Sequence, residues 1–370
     1  MTAADFDLDQ VLSDLESLVE VESPSHELSA IENSAETLAG LIAARLGSAP
    51  ELLASPAGPH VHWRGGGASR VLIVGHHDTV FPVGTLARRP FTVSDGHIAG
   101  PGVFDMKGGI VVGLHAVASL ADRSGVELLF TADEEVGSGT SRALIEERAR
   151  ACGAVLVLEG AAPGGALKIG RKGTGGFELV VHGRAAHAGL EPEKGVNALV
   201  EAAHQVLAIA ALARPARGTT LTPTLASAGT ADNVVPAEAR IRVDLRVTDL
   251  AEGERVEQAM RALTPVDPAV RLEVSGGLNR PPLERSATAG LFALAQTVAA
   301  AEGLPAPVGV DVGGGSDGNF TGALGVPTLD GLGVTGGGAH ADHEHAELVT
   351  LGDRIALVAG LIREISSRSA

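Results

Sequence analysis

The chain holds one cysteine in 370 residues, no tyrosine, and 2% aromatic residues. A single cysteine excludes an intramolecular disulfide and any zinc site built from thiolates, and it fits a reducing compartment. That residue, Cys152, stands just before an apolar run, the setting of a small core residue rather than a nucleophile. Without tyrosine there is no phenol for acid–base chemistry, and so few aromatics leave no stacking surface for nucleic-acid bases. Basic residues are scarce too: 28 Lys and Arg face 45 Asp and Glu, a formal charge of −17. That balance argues against nucleic acid or an anionic membrane as partner. No apolar run reaches the roughly 18 residues a membrane span requires, the best candidates being broken by His115 or His204. The acidic opening, MTAADFDLDQ, lacks the features of a secretory signal, so a cytoplasmic location is expected. What is plentiful is carboxylate and histidine, 13 of the latter, in a chain 45% hydrophobic and long enough for one large or two ordinary cores.

Residues 8–20 and 27–46 repeat apolar positions at helical spacing, and Val71–Gly75 (VLIVG) then forms a continuous apolar run typical of a strand buried on both faces. Similar runs follow at Val126–Ala132 and Ala154–Leu158, separated by helical stretches 108–121 and 139–151. Together they predict a mostly parallel sheet flanked by helices. Residues 323–333 and the amphipathic tail Leu348–Ser366 return to that layer. Between 176 and 277 the order changes to strand, helix, strand, strand, helix, strand, with alternating strands, which predicts an inserted ferredoxin-like βαββαβ module. The expected division is a catalytic domain of residues 1–172 and 279–370 around an inserted domain of residues 173–278.

The predicted core strands share one property: each ends in histidine or acid. GHHDTV (Gly75–Val80) closes the first; in extended backbone His76 and Asp78 face one way and His77 the other. GPGVFDMKGG places Asp105 in a glycine-crowded loop before a helix, TADEEVGSG places Glu134 and Glu135 after the second strand, and Glu159 follows the third. GGGAHADHEHAE supplies His340, His343 and His345 with Asp342 and Glu344. Each alone has an ordinary reading: a surface histidine, a helix N-cap, a solvated acid pair. Collectively, three buried strands ending alike in chain order point to a site at their carboxyl ends, where open α/β sheets bind ligands. Two histidines and three carboxylates without thiolate suit a borderline divalent ion such as zinc, and a shared acid would let two ions sit roughly 3.5 Å apart. His343 and His345 are read as solvent-exposed or incidental surface metal binders. No Gly-x-Ser-x-Gly elbow and no Walker loop is present, which disfavours serine-nucleophile and nucleotide chemistry.

These segments, with VLEG, GRAAHAG, NVVP, DLR and GGGSDG, resemble in family order the M20 dinuclear zinc peptidases and amidohydrolases, in particular their glutamate carboxypeptidase (carboxypeptidase G2-like) branch. The resemblance covers essentially the whole chain. It implies two Zn²⁺ per chain, with Co²⁺ or Mn²⁺ as substitutes: Asp105 bridges them, His76 and Glu159 complete one, and Glu135 and His340 complete the other. Glu134 would be the general base, and Asp78 would hold His76. In the inserted lid and dimerisation domain, His187 of GRAAHAG would stabilise the oxyanion in a neighbouring subunit, and Asn233 and Arg246 would lie near the substrate's carbonyl and terminal carboxylate. The implied reaction is hydrolysis, by a zinc-activated water, of the amide bond in a small peptidyl or N-acyl amino acid with a free carboxylate, by a homodimer. Glutamate at position 159 leans toward a carboxypeptidase. The alternatives are an N-acyl-amino-acid deacylase of the acetylornithine or succinyl-diaminopimelate type, a tripeptidase-like aminopeptidase, and a non-catalytic binding protein on the same fold. Whether Lys168 or Arg171 is a substrate-binding cation stays open at this level.

Overall fold

Three mostly apolar strands are buried along their whole length because each runs inside a sheet covered on both faces. In the computed structural model, which describes residues 6–368, these are β3 (Val71–His76), β4 (Val126–Thr131) and β5 (Ala154–Val157). They follow β1 (Glu51–Leu53) and β2 (His60–Arg64), and the sheet order is β1-β2-β4-β3-β5 with Thr328–Leu329 as the last strand. The pairs of β3 with β4 and with β5, and of β5 with Thr328–Leu329, are parallel, and the β1-β2-β4 side is antiparallel. Side chains on β3 alternate between two cores. Val71 and Ile73 pack in the core built with α1 (Leu8–Val19), α2 (Leu28–Leu46) and α3 (Gly108–Ala118), and Leu72 and Val74 pack in a smaller core with Ile145 and Ala149 of α4 (Arg142–Ala151) and Phe320.

Register levels the functional ends. His76 pairs with Thr131, and Val74 with Val157, so the residues after β4 and β5 emerge beside His76. Glycine sets how closely α3 approaches them: a Cβ on Gly109 would lie 2.0 Å from the Leu158 carbonyl oxygen, immediately before Glu159.

The chain divides into two compact units. The first gathers residues up to Gly170, Leu283–Val312 and Ser316 onward; the second is Arg171–Pro282 with Gly313–Gly315. The second contains β6 (Gly173–His182), α5 (Ala198–Ala210), β7 (Thr220–Ala228), β8 (Glu238–Val247), α6 (Leu250–Arg261) and β9 (Arg271–Arg280), the βαββαβ order predicted from the alternation. Its strands form an antiparallel sheet in the order β7-β8-β6-β9. On β8, Ala239, Ile241, Val243 and Leu245 are buried while Arg240 and Arg242 are exposed, a period-two pattern for a sheet covered on one face. Asn197 and Asp249 cap the two helices by accepting backbone amides of their first turns.

The periodicity overextends some helices. α3 stops at Ala118 rather than 121, and α5 covers Ala198–Ala210 rather than 195–213. A small four-stranded sheet, ordered Gly336–Gly337, His345–Glu347, His97–Ala99, Thr92–Ser94, has no counterpart in the sequence reading. Its strands are two or three residues long, which leaves no period to detect, and the pair that joins its halves, His345–Glu347 with His97–Ala99, brings together segments far apart in the chain. Among the described residues no helix is long and apolar enough to cross a membrane.

One buried acid in β4 serves the fold. Glu127, 1% exposed, accepts hydrogen bonds from Arg148 Nε at 2.9 Å, His62 Nε2 at 2.9 Å and the Ser69 hydroxyl. Burial pushes its carboxyl up, but His62, Arg148 and Ser69 outweigh burial and hold it well below the usual range. A depressed carboxyl contributes stability above its unfolded pKa of about 4.3 and loses it as the pH falls. Glu127→Gln is therefore expected to destabilise the protein by roughly 3–5 kcal/mol near neutrality, from one partner's loss in a buried ion pair. The difference from wild type should shrink on acidification toward about pH 3, as urea unfolding across that range will show.

Candidate metal centre

The ends of β3, β4 and β5 meet as the register dictates. His76 completes β3 and is 1% exposed; its Nε2 lies 3.2 Å from Asp105 Oδ1 and 3.7 Å from Glu159 Oε1. His340 Nε2 lies 3.5 Å from Asp105 Oδ2 and 3.1 Å from Glu135 Oε2. The residues thus form two triads, His76–Asp105–Glu159 and Asp105–Glu135–His340, that share Asp105 through its two different oxygens. Four ligand atoms set tetrahedrally at about 2.0–2.1 Å from a zinc ion are separated by roughly 3.3 Å, so these spacings suit atoms arranged about a common ion. Glu135 Oε1 is buried without a hydrogen-bond partner among the described residues, and a cation would satisfy it. Imidazole and carboxylate without thiolate is the donor set of zinc and similar divalent ions, so the residues present fit a dinuclear centre.

Asp78 organises the centre without belonging to either triad. It is fully buried; its backbone carbonyl lies 2.9 Å from His76 Nδ1 and its Oδ1 3.4 Å from the same nitrogen. Acceptance of the Nδ1 proton by Asp78 fixes the ring with Nε2 facing Asp105, the nitrogen that would be free to ligate once the ring is neutral. The Asp78 carboxylate also accepts the Ser25 hydroxyl at 2.7 Å and the backbone amides of Glu134 and Glu135 at 3.2 Å each. Burial pushes the Asp78 carboxyl up, and its hydrogen bond with His76 is the largest of the effects that hold it below the usual range. Asp317 of GGGSDG grips the same turn at its two ends, accepting Thr131 Oγ1 at 3.2 Å and Ser138 Oγ at 2.5 Å. Glu134, the expected base, is half-buried on this turn beside Glu135.

His77 is buried facing away, between the Ser34 hydroxyl and the Pro59 carbonyl, and burial lowers it to about 4, so it stays neutral. His343 is exposed, and His345 packs edge-on against His97; neither joins a triad. Cys152 is a core residue whose thiol burial pushes up to about 12. Lys168 Nζ lies 3.8 Å from Glu159 Oε2, while Arg171 is buried and donates to the carbonyls of Gly314 and Gly315. Those bonds tie Arg171 to the backbone of its own unit and leave Lys168 as the one of the two beside the candidate ligands. In the second unit, His187 Nδ1 accepts the amides of Gly189 and Leu190 at 3.1 Å each. A neutral ring so held carries its proton on Nε2. The Asn233 carbonyl accepts the Ala188 amide at 2.8 Å, which sets it beside His187 in the chain's pairing. Arg246 engages Asp244 of its own strand through Nε and Nη2.

Two supports carry no signal in the motifs. Ser25 lies in no motif, and Glu344 stands in the sequence only as one acid within a histidine tract. Glu344 is 1% exposed and accepts the amides of Gly102, Phe104 and Asp105. Burial pushes its carboxyl up to about 7 against the pull of those amides. The only signal in the sequence is its place four residues after His340.

The chain matches the model of peptidase family M20/M25/M40 over residues 72–364 and belongs to that family. It is a metal-dependent hydrolase acting on peptide or acyl-amino-acid substrates. It is 33% identical over 318 residues to carboxypeptidase G2 of Pseudomonas sp. (strain RS-16), covering 82% of this chain and 76% of that protein. It is 32% identical over 308 residues to a succinyl-diaminopimelate desuccinylase of Gluconacetobacter diazotrophicus, covering 75% of this chain and 77% of that one. The crystal structure of aminopeptidase PepT from Bacillus cereus superposes with a TM-score of 0.77 over 97% of this chain and 99% of its own. At 22% identity that is a likeness of fold.

The carboxylates around His76 and His340 favour the protonated forms of these two imidazoles before an ion binds. Burial works against protonation of His76, but hydrogen bonds to Asp105 and Asp78 raise it well above its ordinary value, and those to Asp105 and Glu135 raise His340 to about 10. A ligating histidine must be neutral. Loading the centre near neutral pH is therefore expected to release about two protons, one from each imidazole, and affinity should fall as the pH is lowered. Calorimetric metal titrations in buffers of different ionisation enthalpy read the number; an apparent enthalpy that does not vary with buffer would contradict the assignment.

Proposed function

We propose that the chain removes an acyl group from an N-acyl amino acid, a deacylation of the succinyl-diaminopimelate type, as a cytoplasmic homodimer. The observation that supports the reading is the turn holding Glu134: its amide and that of Glu135 are bound to Asp78, and Glu135 belongs to a candidate metal triad, so a base at position 134 would stand beside the centre. His76, Asp105 and Glu159 would hold one divalent ion, and Asp105, Glu135 and His340 the other. Bound there, the ions supply Lewis acidity, lowering the pKa of water and polarising an amide carbonyl. Glu134 accepts the proton of the attacking water and passes it to the departing amine, which lets one carboxylate serve as base and then as acid. His187, with its proton on Nε2, is suited to donate to the developing oxyanion, worth roughly 3–4 kcal/mol for one well-placed donor. Asn233 would assist at the same carbonyl. Arg246 presents a planar fork for a substrate carboxylate, which would compete with Asp244 for it.

The second unit is proposed as lid and dimerisation domain. Leu199, Val200 and Leu207 of α5 are 52%, 54% and 70% exposed, and β7 is an edge strand, features that support pairing with a second copy. Similarity to the desuccinylase supports the deacylase reading. Release of a C-terminal amino acid, as by a glutamate carboxypeptidase, is the second reading, favoured by glutamate at position 159 and by similarity to carboxypeptidase G2.

Glu134→Gln should retain both ions and lose roughly 10²–10⁴-fold in turnover, and mixing it with His187→Ala should restore part of the activity if the histidine acts across the dimer. Near wild-type turnover in Glu134→Gln would remove Glu134 as base, and no recovery on subunit exchange would confine His187 to its own chain. A substrate panel separates the two readings. The deacylase reading expects N-succinyl and N-acetyl amino acids to be cleaved at least about 10-fold more efficiently, in kcat/KM, than peptidyl or aroyl glutamates. The reverse ratio would give the carboxypeptidase reading precedence.

A further inference from the structure

The shared ligand Asp105 sits on the turn that follows Gly100, and the backbone of that turn is held by an acid more than two hundred residues away. Glu344 Oε2 accepts the Gly102 amide at 2.7 Å, and Oε1 accepts those of Phe104 at 3.0 Å and Asp105 at 2.9 Å. Gly102 takes φ 78°, a left-handed conformation that helps aim the successive amides at a single carboxylate. A carboxylate buried to 1% exposure is costly unless donors surround it, and three amide donors meet that requirement.

His340 lies on the same loop as Glu344. Ala341 N donates to Gly338 O at 2.9 Å and Glu344 N to Ala341 O at 3.1 Å, which closes the loop into two successive turns. The loop therefore touches Asp105 twice: His340 faces its Oδ2 at 3.5 Å and Glu344 holds its amide at 2.9 Å. The opposite triad has separate supports, since His76 is oriented by Asp78 and Glu159 follows a core strand. His340 itself has a positive φ of 62° and a side chain 53% exposed, so its backbone is set by its loop while its ring meets only the carboxylates of Asp105 and Glu135 among the candidate ligands.

We propose that Glu344 is a positioning residue for the metal centre, coupling the shared carboxylate of Asp105 to His340 so that the Asp105–Glu135–His340 ion depends on it while the His76–Asp105–Glu159 ion largely does not. Ligand placement errors of about half an ångström suffice to weaken a site, and of the ligands of the two triads only His340 lies on the loop that Glu344 ties to the Asp105 backbone. Its role requires no contact with substrate.

The test is a Zn²⁺ and Co²⁺ titration of the full-length Glu344→Gln variant against wild type, with His340→Ala used to assign the two binding steps. Glutamine keeps the shape but presents an NH₂ group where one set of amides needs an acceptor. The expected result is a step assigned to the His340 triad weakened about 10–100-fold, a His76 step within about threefold of wild type, and an altered Co²⁺ absorption spectrum. Equal weakening of both steps, or wild-type affinity at both, would overturn the proposal. If the variant does not fold, hydrogen exchange on the metal-free wild-type protein decides: the amides of Gly102, Phe104 and Asp105 should be protected before any ion is added, and exchange at open-loop rates would overturn it.

Discussion

Crowded carboxylates at one end of a sheet are the constraint on which the rest of this molecule depends. Asp78, Asp105, Glu134, Glu135 and Glu159 all follow core strands or the loops between them, and like charges so close cannot all ionise without compensation. The structure divides them by their partners. Asp78 is met by a hydroxyl, an imidazole and two backbone amides, and is ionised and rigid. Asp105, Glu135 and Glu159 face imidazoles and one another, with Lys168 at the edge, and a buried oxygen of Glu135 has no hydrogen-bond partner among the described residues. That second group calls for divalent cations. The distinction separates ligands from supports on chemical grounds, since N–H donors complete a carboxylate and other acids do not.

The same logic explains the scaffold. A parallel sheet buried on both faces places the carboxyl ends of its strands level, and the β3–β4 and β3–β5 registers make one platform of His76, the Glu134 turn and Glu159. Glycine at 109 lets α3 close against the third strand, while Asp317 and Asp78 hold the turn between them. The chemistry sits on loops a few residues long whose backbone hydrogen bonds end on buried acids. This gives the precision that a two-ion hydrolase requires from irregular structure.

Much of this was legible in the residues. Continuous apolar runs identified the core strands, since burial on both faces removes alternation. Strict alternation on EARIRVDLRV identified a sheet covered on one face, and the acids and His76 stood where those strands stop. Less legible were the limits of the helices, because a cap such as Asn197 ends what periodicity would extend. Glu344 was hidden among exposed neighbours, because composition does not reveal which acid of HADHEHAE turns inward. Ser25 and the small sheet containing His345–Glu347 were hidden because their partners lie tens to hundreds of residues away.

By itself the sequence determined the layer architecture, the inserted βαββαβ module and the set of imidazoles and carboxylates from which a metal centre could be drawn, since these follow from local periodicity and from residue types at strand ends. Only the tertiary structure decided that Asp105 offers one oxygen to each histidine, that His187 Nδ1 accepts two backbone amides, and that Asp78 and Glu344 each receive backbone amides of the loops bearing candidate ligands. Those assignments depend on which donor meets which acceptor across long stretches of chain. Hydrogen bonds of about 3 Å are fixed by packing in three dimensions, and no spacing along the chain encodes them.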